Sequence, residues 1–299
     1  MKIYAPKYYT QFKCISSNCT HSCCIGWEID VDKATLEKYS NLTDAYGKGI
    51  SKSIKGKRSP HFKLLKGGRC AHLDKKGLCN IIKNLGKEYL CDICREHPRF
   101  YNQTINGLEV GLGLSCLEAC RLILSSNDYN EIIQVGEYSI EAEFLDFNPI
   151  IYRDEAFSIL TDKIPYKEKL EALKSRFKVS PQSFTDKEWV KLLKDLEYLE
   201  KPHKKLFANY SSTKRLPQNE VYLERALAYF IYRYVAKANS SYEVGAYVGL
   251  CLFLESLLSY VLSSQNACEL NEIIPLAVTL SEEIEYSESN VDKILDKFL

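Results

Sequence analysis

Cysteine residues crowd the first part of this chain and constrain it more than any other feature does. Ten of the twelve lie within the first 120 residues, most of them in tight groups, at Cys14, Cys19, Cys23, Cys24, Cys70, Cys79, Cys91, Cys94, Cys116 and Cys120. Short loops bring neighbouring thiolates around one soft metal centre at little cost in chain entropy. The pattern therefore predicts a thiolate metal site in the first 120 residues.

Two other uses of cysteine explain this pattern less well. A disulfide framework is typical of a small secreted domain, whereas this chain has 299 residues and its first residues lack the apolar segment of a secretory signal. We therefore expect reduced thiols and a cytoplasmic protein. Packing as small core hydrophobes accounts for Cys251 and Cys268, which lie alone in apolar helical sequence, but not for the grouped cysteines.

The spacing leaves the identity of the metal open. Structural zinc sites commonly use two Cys-x2-Cys pairs, and only Cys91 and Cys94 have that spacing here. The adjacent Cys23 and Cys24 suit a single tetrahedral ion poorly, whereas an iron–sulfur cluster holds its thiolates further apart and accepts more varied spacing. Because one site needs four ligands, the surplus implies either a second site or thiols that support the ligands or act as redox partners.

Charge is divided unequally along the chain, although the net charge is only +1. Residues 1–120 carry 19 Lys and Arg against 11 Asp and Glu, and residues 121–299 carry 21 against 28. Much of the positive charge lies in residues 48–69, which contain no acidic residue and which we interpret as an exposed loop. Phe62 is the only aromatic residue there, so a surface that stacks nucleic-acid bases is not indicated.

The sequence pattern predicts a mainly α fold, with a Cys-rich metal-binding N-terminal part that contains a small β-hairpin, followed by a helical C-terminal part. The expected domains are residues 1–125 and residues 126–299. Short helices are expected after Asp32, at residues 79–85 and around Cys91 and Cys94. The hairpin is expected near residues 100–114, with a type I′ turn at Asn106-Gly107.

The pattern is helical from about residue 165 onward. Thr185 and Glu188 form a capping box, and long, largely buried helices are expected at residues 220–238, 242–263 and 271–285. Residues 244–262 are apolar enough for a membrane span, but Glu255 interrupts them, so we expect a buried core helix and no membrane span. Gly111 lies in a sequence faintly like a nucleotide-binding glycine turn, but no βαβ unit surrounds it.

Several cysteines stand in motifs that resemble the flagellin lysine N-methylase family. The matching segments are Phe12-Lys-Cys14-Ile-x3-Cys19-x3-Cys23-Cys24-x2-Trp27-x-Ile29-x-Val31-Asp32, Cys70-x2-Leu73-Asp74-x3-Leu78-Cys79-x-Ile81, Leu85-Gly86, Leu90-Cys91-x2-Cys94, His97-Pro98-Arg99 and Leu114-Ser115-Cys116. Arg153 and residues 159–165 resemble its helical part. Leu117 stands where the family commonly has proline, and Cys120 has no family counterpart, so we exclude Cys120 as a ligand. The wider group of CxxxCC proteins, described as zinc or iron chelators, shares part of the pattern.

This resemblance implies an enzyme that transfers methyl groups from S-adenosylmethionine to lysine side chains of flagellin, with a 4Fe-4S cluster present. The candidate metal ligands are Cys19, Cys23, Cys24, Cys70, Cys79, Cys91, Cys94 and Cys116. Only the neutral lysine amine, whose pKa is about 10.4, attacks a sulfonium methyl. We favour polar over radical transfer because the Cys-x3-Cys-x2-Cys triplet of radical enzymes is absent. The pattern indicates neither the catalytic base nor the residues that bind S-adenosylmethionine.

Two other functions would use the same cysteines. A non-enzymatic zinc- or iron-binding protein would use them only to hold its fold. A redox or iron-carrier protein would use them for electron or iron transfer. Brown colour separates an iron–sulfur protein from a zinc protein, and methylation of co-expressed flagellin separates the enzyme from both alternatives.

Overall fold

The computed structural model describes residues 1–138, 146–179 and 184–299. Two compact units share the chain: residues 13–98 form the cysteine unit, and residues 1–12 join residues 99–299 in the helical unit, which opens with strand β1 (Lys2–Pro6). The predicted domains, residues 1–125 and 126–299, are segments expected to fold independently. The division into compact units does not test independent folding, so these domains stay a prediction.

Short elements make up the cysteine unit. Its helices are α1 (Lys33–Ser40), α2 (Ala45–Ser53), α3 (Asn80–Leu85) and α4 (Asp92–Glu96). Its strands pair in two antiparallel ladders, β2 (Ile54–Lys55) with β3 (His61–Phe62) and β4 (Leu64–Leu65) with β5 (Arg69–Cys70). The predicted helices after Asp32, at residues 79–85 and around Cys91 are thus confirmed.

The basic stretch at residues 48–69 is not the loop that its composition predicted. It contains the second half of α2 and the strands β2 to β5. Its apolar residues explain the difference, because Ile50 and Phe62 are buried in the core of the cysteine unit and anchor the segment. Most of its lysines are exposed, as their charge requires.

Helices dominate the helical unit. They are α5 (Leu117–Ser125), α6 (Ile150–Thr161), α7 (Tyr166–Arg176), α8 (Asp186–Lys194), α9 (Lys204–Phe207), α10 (Glu220–Tyr234), α11 (Ser241–Ser264), α12 (Leu270–Leu280) and α13 (Glu288–Leu295). A π-helical turn at Ser281–Glu285 follows α12. Thr185 and Glu188 form the predicted capping box at the start of α8. The mainly α fold and the three long helices are confirmed.

Helix α11 is the centre of the helical core. Of the helices that the structure describes, α11 alone is long and apolar enough to cross a membrane, and 89% of its apolar window is buried within the protein. Its buried Glu255 is satisfied by Arg215, whose guanidinium makes two bonds to the carboxylate at 2.7 and 2.9 Å, and by the Tyr166 hydroxyl. The prediction of a buried core helix is confirmed.

A four-stranded sheet packs with the helices. The predicted hairpin is present as β6 (Arg99–Thr104) and β7 (Gly107–Leu112), and β1 and β8 (Ile132–Glu137) extend it in the order β6-β7-β1-β8. The predicted type I′ turn is wrong. Thr104 pairs with Gly107, which leaves Ile105 and Asn106 as the central residues, and neither has a positive φ. A type I′ turn needs positive φ at both central residues, which a β-branched residue such as Ile105 strongly resists.

Gly111 serves packing in this sheet. It pairs with Phe100 across the hairpin, and a Cβ atom at position 111 would lie 2.2 Å from Cζ of the Phe100 ring. The ring cannot easily yield, because Tyr229 and Tyr232 contact it with ring centroids at 6.2 and 6.1 Å and the Arg233 guanidinium lies 4.9 Å from its centroid. Close approach of an aromatic ring explains this glycine without a nucleotide.

Gly111→Ala should therefore lower the free energy of unfolding by about 1–3 kcal/mol, because the added methyl group overpacks the site. Urea denaturation measures the change. The matched control is Gly49→Ala in α2, where an added Cβ meets no atom within 4 Å and helix propensity improves, so stability should hold or rise. Equal stability of the Gly111→Ala variant and the parent would contradict the packing role.

Candidate metal centre

Five of the eight predicted ligands come together in the cysteine unit. Cys70 and Cys91 are buried in its hydrophobic cluster, and Cys24, Cys79 and Cys94 are partly buried against the same cluster. Their side chains are close enough to interact electrostatically. The charges of Cys24, Cys79 and Cys91 raise the pKa of Cys70, and those of Cys91, Cys24 and Cys70 raise the pKa of Cys94. We call these five residues the thiol cluster.

Backbone pairing brings its distant members together. The amide of Cys70 donates a hydrogen bond to the carbonyl oxygen of Cys24 at 2.8 Å. Leu73 forms an antiparallel bridge with Cys79, and the amide of Asn80 donates to the carbonyl oxygen of His72 at 2.8 Å. Since Cys70 ends β5 and Cys79 directly precedes α3, this turn directs both thiols into the same small core.

Tyr39 holds the pair formed by Cys91 and Cys94. Its fully buried hydroxyl donates to the carbonyl oxygen of Tyr89 at 2.6 Å and lies 3.8 Å from Sγ of Cys91. A hydrogen bond between the two thiols lowers the pKa of Cys91 and raises the pKa of Cys94. Burial and the nearby Cys91 raise the pKa of Tyr39, which keeps its proton available for donation.

The other members of the cluster differ in acidity. The hydrogen bond with Cys23 lowers the pKa of the Cys24 thiol to about 7, and the Arg69 guanidinium acts in the same direction. Burial raises the pKa of Cys70 to about 11 and also raises the pKa of Cys79. Several thiolates gathered in a partly buried core are costly unless a positive centre compensates their charge.

The three remaining predicted ligands, Cys19, Cys23 and Cys116, do not belong to the hydrophobic cluster of the cysteine unit. Cys19 is half-buried near Cys14 and Cys24, and its thiol donates to the carbonyl oxygen of His21 at 2.7 Å. Cys23 is exposed beside Cys24. Cys116 belongs to the helical unit, where it immediately precedes α5. Their roles as ligands stay predictions.

The cysteines outside the predicted ligand set have other surroundings. Cys120 and Cys251 are completely buried, as small core side chains are. Cys268 corrects the expectation of a helical, apolar position: it lies in the loop before α12, is partly exposed, and its sulfur accepts a hydrogen bond from Nε2 of Gln218 at 3.1 Å. Helix α11 ends at Ser264, before the chain reaches Cys268.

The chemistry of the thiol cluster suits a soft metal centre. Among the described residues, no group of three or more His, Cys, Asp or Glu side chains is arranged to hold a single metal ion. His72 is engaged elsewhere, since its Nε2 lies 2.7 Å from the Ser53 hydroxyl and its ring packs edge-on against Phe62. The donors available in this core are therefore thiols, the ligands that zinc and iron–sulfur clusters take.

Asp32 is a supporting residue whose second role sequence reasoning missed. As predicted, it caps α1, with its Oδ1 accepting from the Thr35 amide at 2.8 Å. Its Oδ2 also accepts from the Asp92 amide at 2.9 Å, at the first residue of α4. Burial opposes ionisation of Asp32, but these backbone bonds outweigh it and lower the pKa of the carboxyl. One carboxylate thus ties α1 to the helix that carries Cys94.

Asp32→Ala should lower the free energy of unfolding by about 2 kcal/mol, since it removes a helix cap and a second charge-assisted hydrogen bond. Asp44→Ala is the matched control, because Asp44 caps α2 through the Gly47 amide at 2.7 Å and should cost only about 1 kcal/mol. Hydrogen exchange should accelerate at residues 91–97 in the Asp32 variant alone. Equal protection of that segment in both variants would contradict the role of Asp32 in linking α1 to α4.

Comparisons with known proteins identify relatives of this chain. No family model and no solved structure matches the chain. The flagellar biosynthetic protein FliU of Salmonella muenchen is 33% identical over an alignment of 130 residues, and the match covers 41% of this chain and 77% of FliU. Lysine-N-methylases of Salmonella typhimurium and Salmonella choleraesuis are each 32% identical over 130 residues, and the match spans only 32% of their length. With most of FliU matched at this identity, and two lysine-N-methylases matched at nearly the same level, the chain belongs to the flagellin lysine N-methylase family.

Proposed function

We propose that this protein methylates lysine side chains of flagellin with S-adenosylmethionine, and that its thiol cluster holds an iron–sulfur cluster, expected to be 4Fe-4S. Two of the relatives are named lysine-N-methylases and one is named a flagellar biosynthetic protein. The observation that carries the proposal is the convergence of Cys24, Cys70, Cys79, Cys91 and Cys94 on one core. Methylation would precede export of flagellin, in the cytoplasm.

The thiol cluster offers one more sulfur than four-ligand binding requires. Cys24, Cys70, Cys79, Cys91 and Cys94 are the candidate donors, and Arg69 supplies positive charge beside Cys24. If held there, the iron–sulfur cluster would supply iron to bind the amino and carboxylate groups of S-adenosylmethionine. Tyr39, through its contact with Cys91, and Asp32, through the Asp92 amide, would keep Cys91 and the start of α4 in place.

The chemistry proposed is polar. The lone pair of a neutral lysine amine forms a bond to the sulfonium methyl carbon as the bond from that carbon to sulfur breaks. The products are S-adenosylhomocysteine and a methylated lysine, and one proton is released to solvent or to a base. No electron needs to be supplied, in keeping with the absence of the radical-enzyme cysteine triplet.

A structural zinc site is the second candidate. It is favoured by the Cys91-x2-Cys94 pair at the start of α4, whose thiols are hydrogen-bonded to each other as in a tight metal-binding turn. In that case the cysteines and their zinc would stabilise the cysteine unit, and the zinc would take no part in any methyl transfer.

Metal analysis of anaerobically purified protein separates the two candidates. We expect iron together with acid-labile sulfide, and loss of both in Cys79→Ala and Cys94→Ala, because loss of a ligand disassembles the site. Cys120→Ala and Cys251→Ala are matched controls, because they remove buried thiols that do not belong to the thiol cluster, and they should retain the metal. Stoichiometric zinc without sulfide, in protein never exposed to oxygen, would rule out the iron–sulfur cluster.

Co-expression with flagellin tests the activity. Intact-mass spectra of flagellin should show steps of about 14 Da per methyl group, with little change in charge because a methylated lysine keeps its charge. The Cys24→Ala and Cys94→Ala variants should abolish these steps, and Cys251→Ala should leave them in place. Unmodified flagellin beside metal-loaded parent protein would refute the substrate, and full methylation by the Cys94 variant would refute the role of the metal.

A further inference from the structure

A groove of about 370 Å³ opens on the surface of the cysteine unit beside the thiol cluster. It is lined by residues from three segments, Asp30, Val31, Asp32, Ser59, Pro60, Asp92 and Ile93, and we call it the Asp30 groove. Two of its lining residues, Asp92 and Ile93, are the residues between Cys91 and Cys94. Whatever occupies the groove therefore lies against the start of α4, which follows Cys91 and carries Cys94.

The lining combines an aliphatic wall with carboxylates. Val31 is buried beneath the groove, Pro60 is half-buried, and Ile93 keeps 51% of its surface exposed at the edge. Asp32 is occupied by backbone amides, and Asp92 pairs with Arg95. The Asp30 carboxylate is exposed and has no hydrogen bond or ion pair among the described residues. An aliphatic chain that ends in a cation complements this surface.

Two positively charged residues lie next to a lining residue of the groove in the sequence. Lys57 and Arg58 directly precede the lining residue Ser59, in the loop between β2 and β3. Both side chains are exposed, and neither has an ion-pair partner within the parts of the chain that the structure describes. The loop is tight: Gly56 has φ +78°, and a Cβ atom there would lie 2.3 Å from the carbonyl oxygen of Ser59. The backbone from which Lys57 and Arg58 project is therefore constrained next to Ser59.

We propose that the Asp30 groove receives the side chain of a substrate lysine, and that Lys57 and Arg58 bind acidic side chains next to that lysine in the substrate sequence. The lysine stem would lie against Val31, Pro60 and Ile93, with its ammonium at Asp30. The proposal rests on the proposed function and deepens it, because it predicts which lysines are chosen. A lysine with acidic neighbours fits both charges, whereas one with basic neighbours is repelled by the loop.

Peptide binding tests the groove without requiring methyl transfer. Three fluorescent peptides are titrated against the full chain by anisotropy: one with a lysine between glutamates, one with glutamine in place of the lysine, and one with glutamines in place of the glutamates. The first should bind more tightly than either other peptide by about twofold to fivefold, the range of exposed ion pairs. Equal affinity for all three peptides, or no binding of any, would overturn the proposal.

Variants test whether Asp30 recognises the lysine and whether Lys57 and Arg58 recognise its acidic neighbours. Asp30→Asn, which keeps the shape of the side chain, should remove the preference for lysine, and the double variant Lys57→Gln/Arg58→Gln should remove the preference for glutamate neighbours. The matched controls Glu37→Gln and Lys75→Gln/Lys76→Gln change exposed charges of the same unit outside the groove and should change neither preference.

Flagellin separates failure of the groove from failure of the proposed function. Parent protein that methylates flagellin, with an Asp30→Asn variant that methylates the same lysines at the same rate, would overturn the groove and leave the function standing. Peptide preferences that follow the prediction, with flagellin left unmethylated by metal-loaded parent protein, would support the groove as a lysine-binding site and refute the function. The expected result is a raised KM for flagellin in the Asp30 variant with kcat nearly unchanged.

Discussion

The cysteine unit is built around a small core to which its own thiols contribute. All of its 86 residues are described, and its hydrophobic cluster contains nine buried side chains, two of which are Cys70 and Cys91. Its strands are two residues long and its longest helix has nine residues. A metal bound by several thiolates would add its binding free energy to the stability of this unit. The thiols stand where such a metal would bind.

The residues around the thiol cluster connect that stability to the proposed activity. Asp32 joins α1 to α4, Tyr39 reaches across to Cys91, and the residues between Cys91 and Cys94 form one side of the Asp30 groove. A change at the metal centre would therefore reach the groove through a few directly bonded residues. The same short path explains why we expect ligand loss to affect both the fold of this unit and its action on a substrate.

Helix caps and long helices can be predicted from the sequence, whereas pairings between distant segments cannot. The caps at Asp32 and Thr185 and the long apolar helices follow from residues within one or two turns of each other, and the structure confirms them. The sequence pattern does not predict strand β1, because its strand character comes from pairing with β7 and β8. Spacing identifies candidate cysteines, but contacts between distant segments, such as the bond from the Cys70 amide to Cys24, show which of them come together.

The central claim is that lysine methylation needs the metal held by the thiol cluster. Its most direct test follows one protein preparation through three states: as purified without oxygen, after chelation of its metal under reducing conditions, and after restoration with ferrous iron and sulfide. Methylation of purified flagellin by S-adenosylmethionine is measured by intact mass in each state. We predict activity, then loss, then recovery that zinc does not reproduce. Undiminished methylation by the metal-free protein would contradict the account.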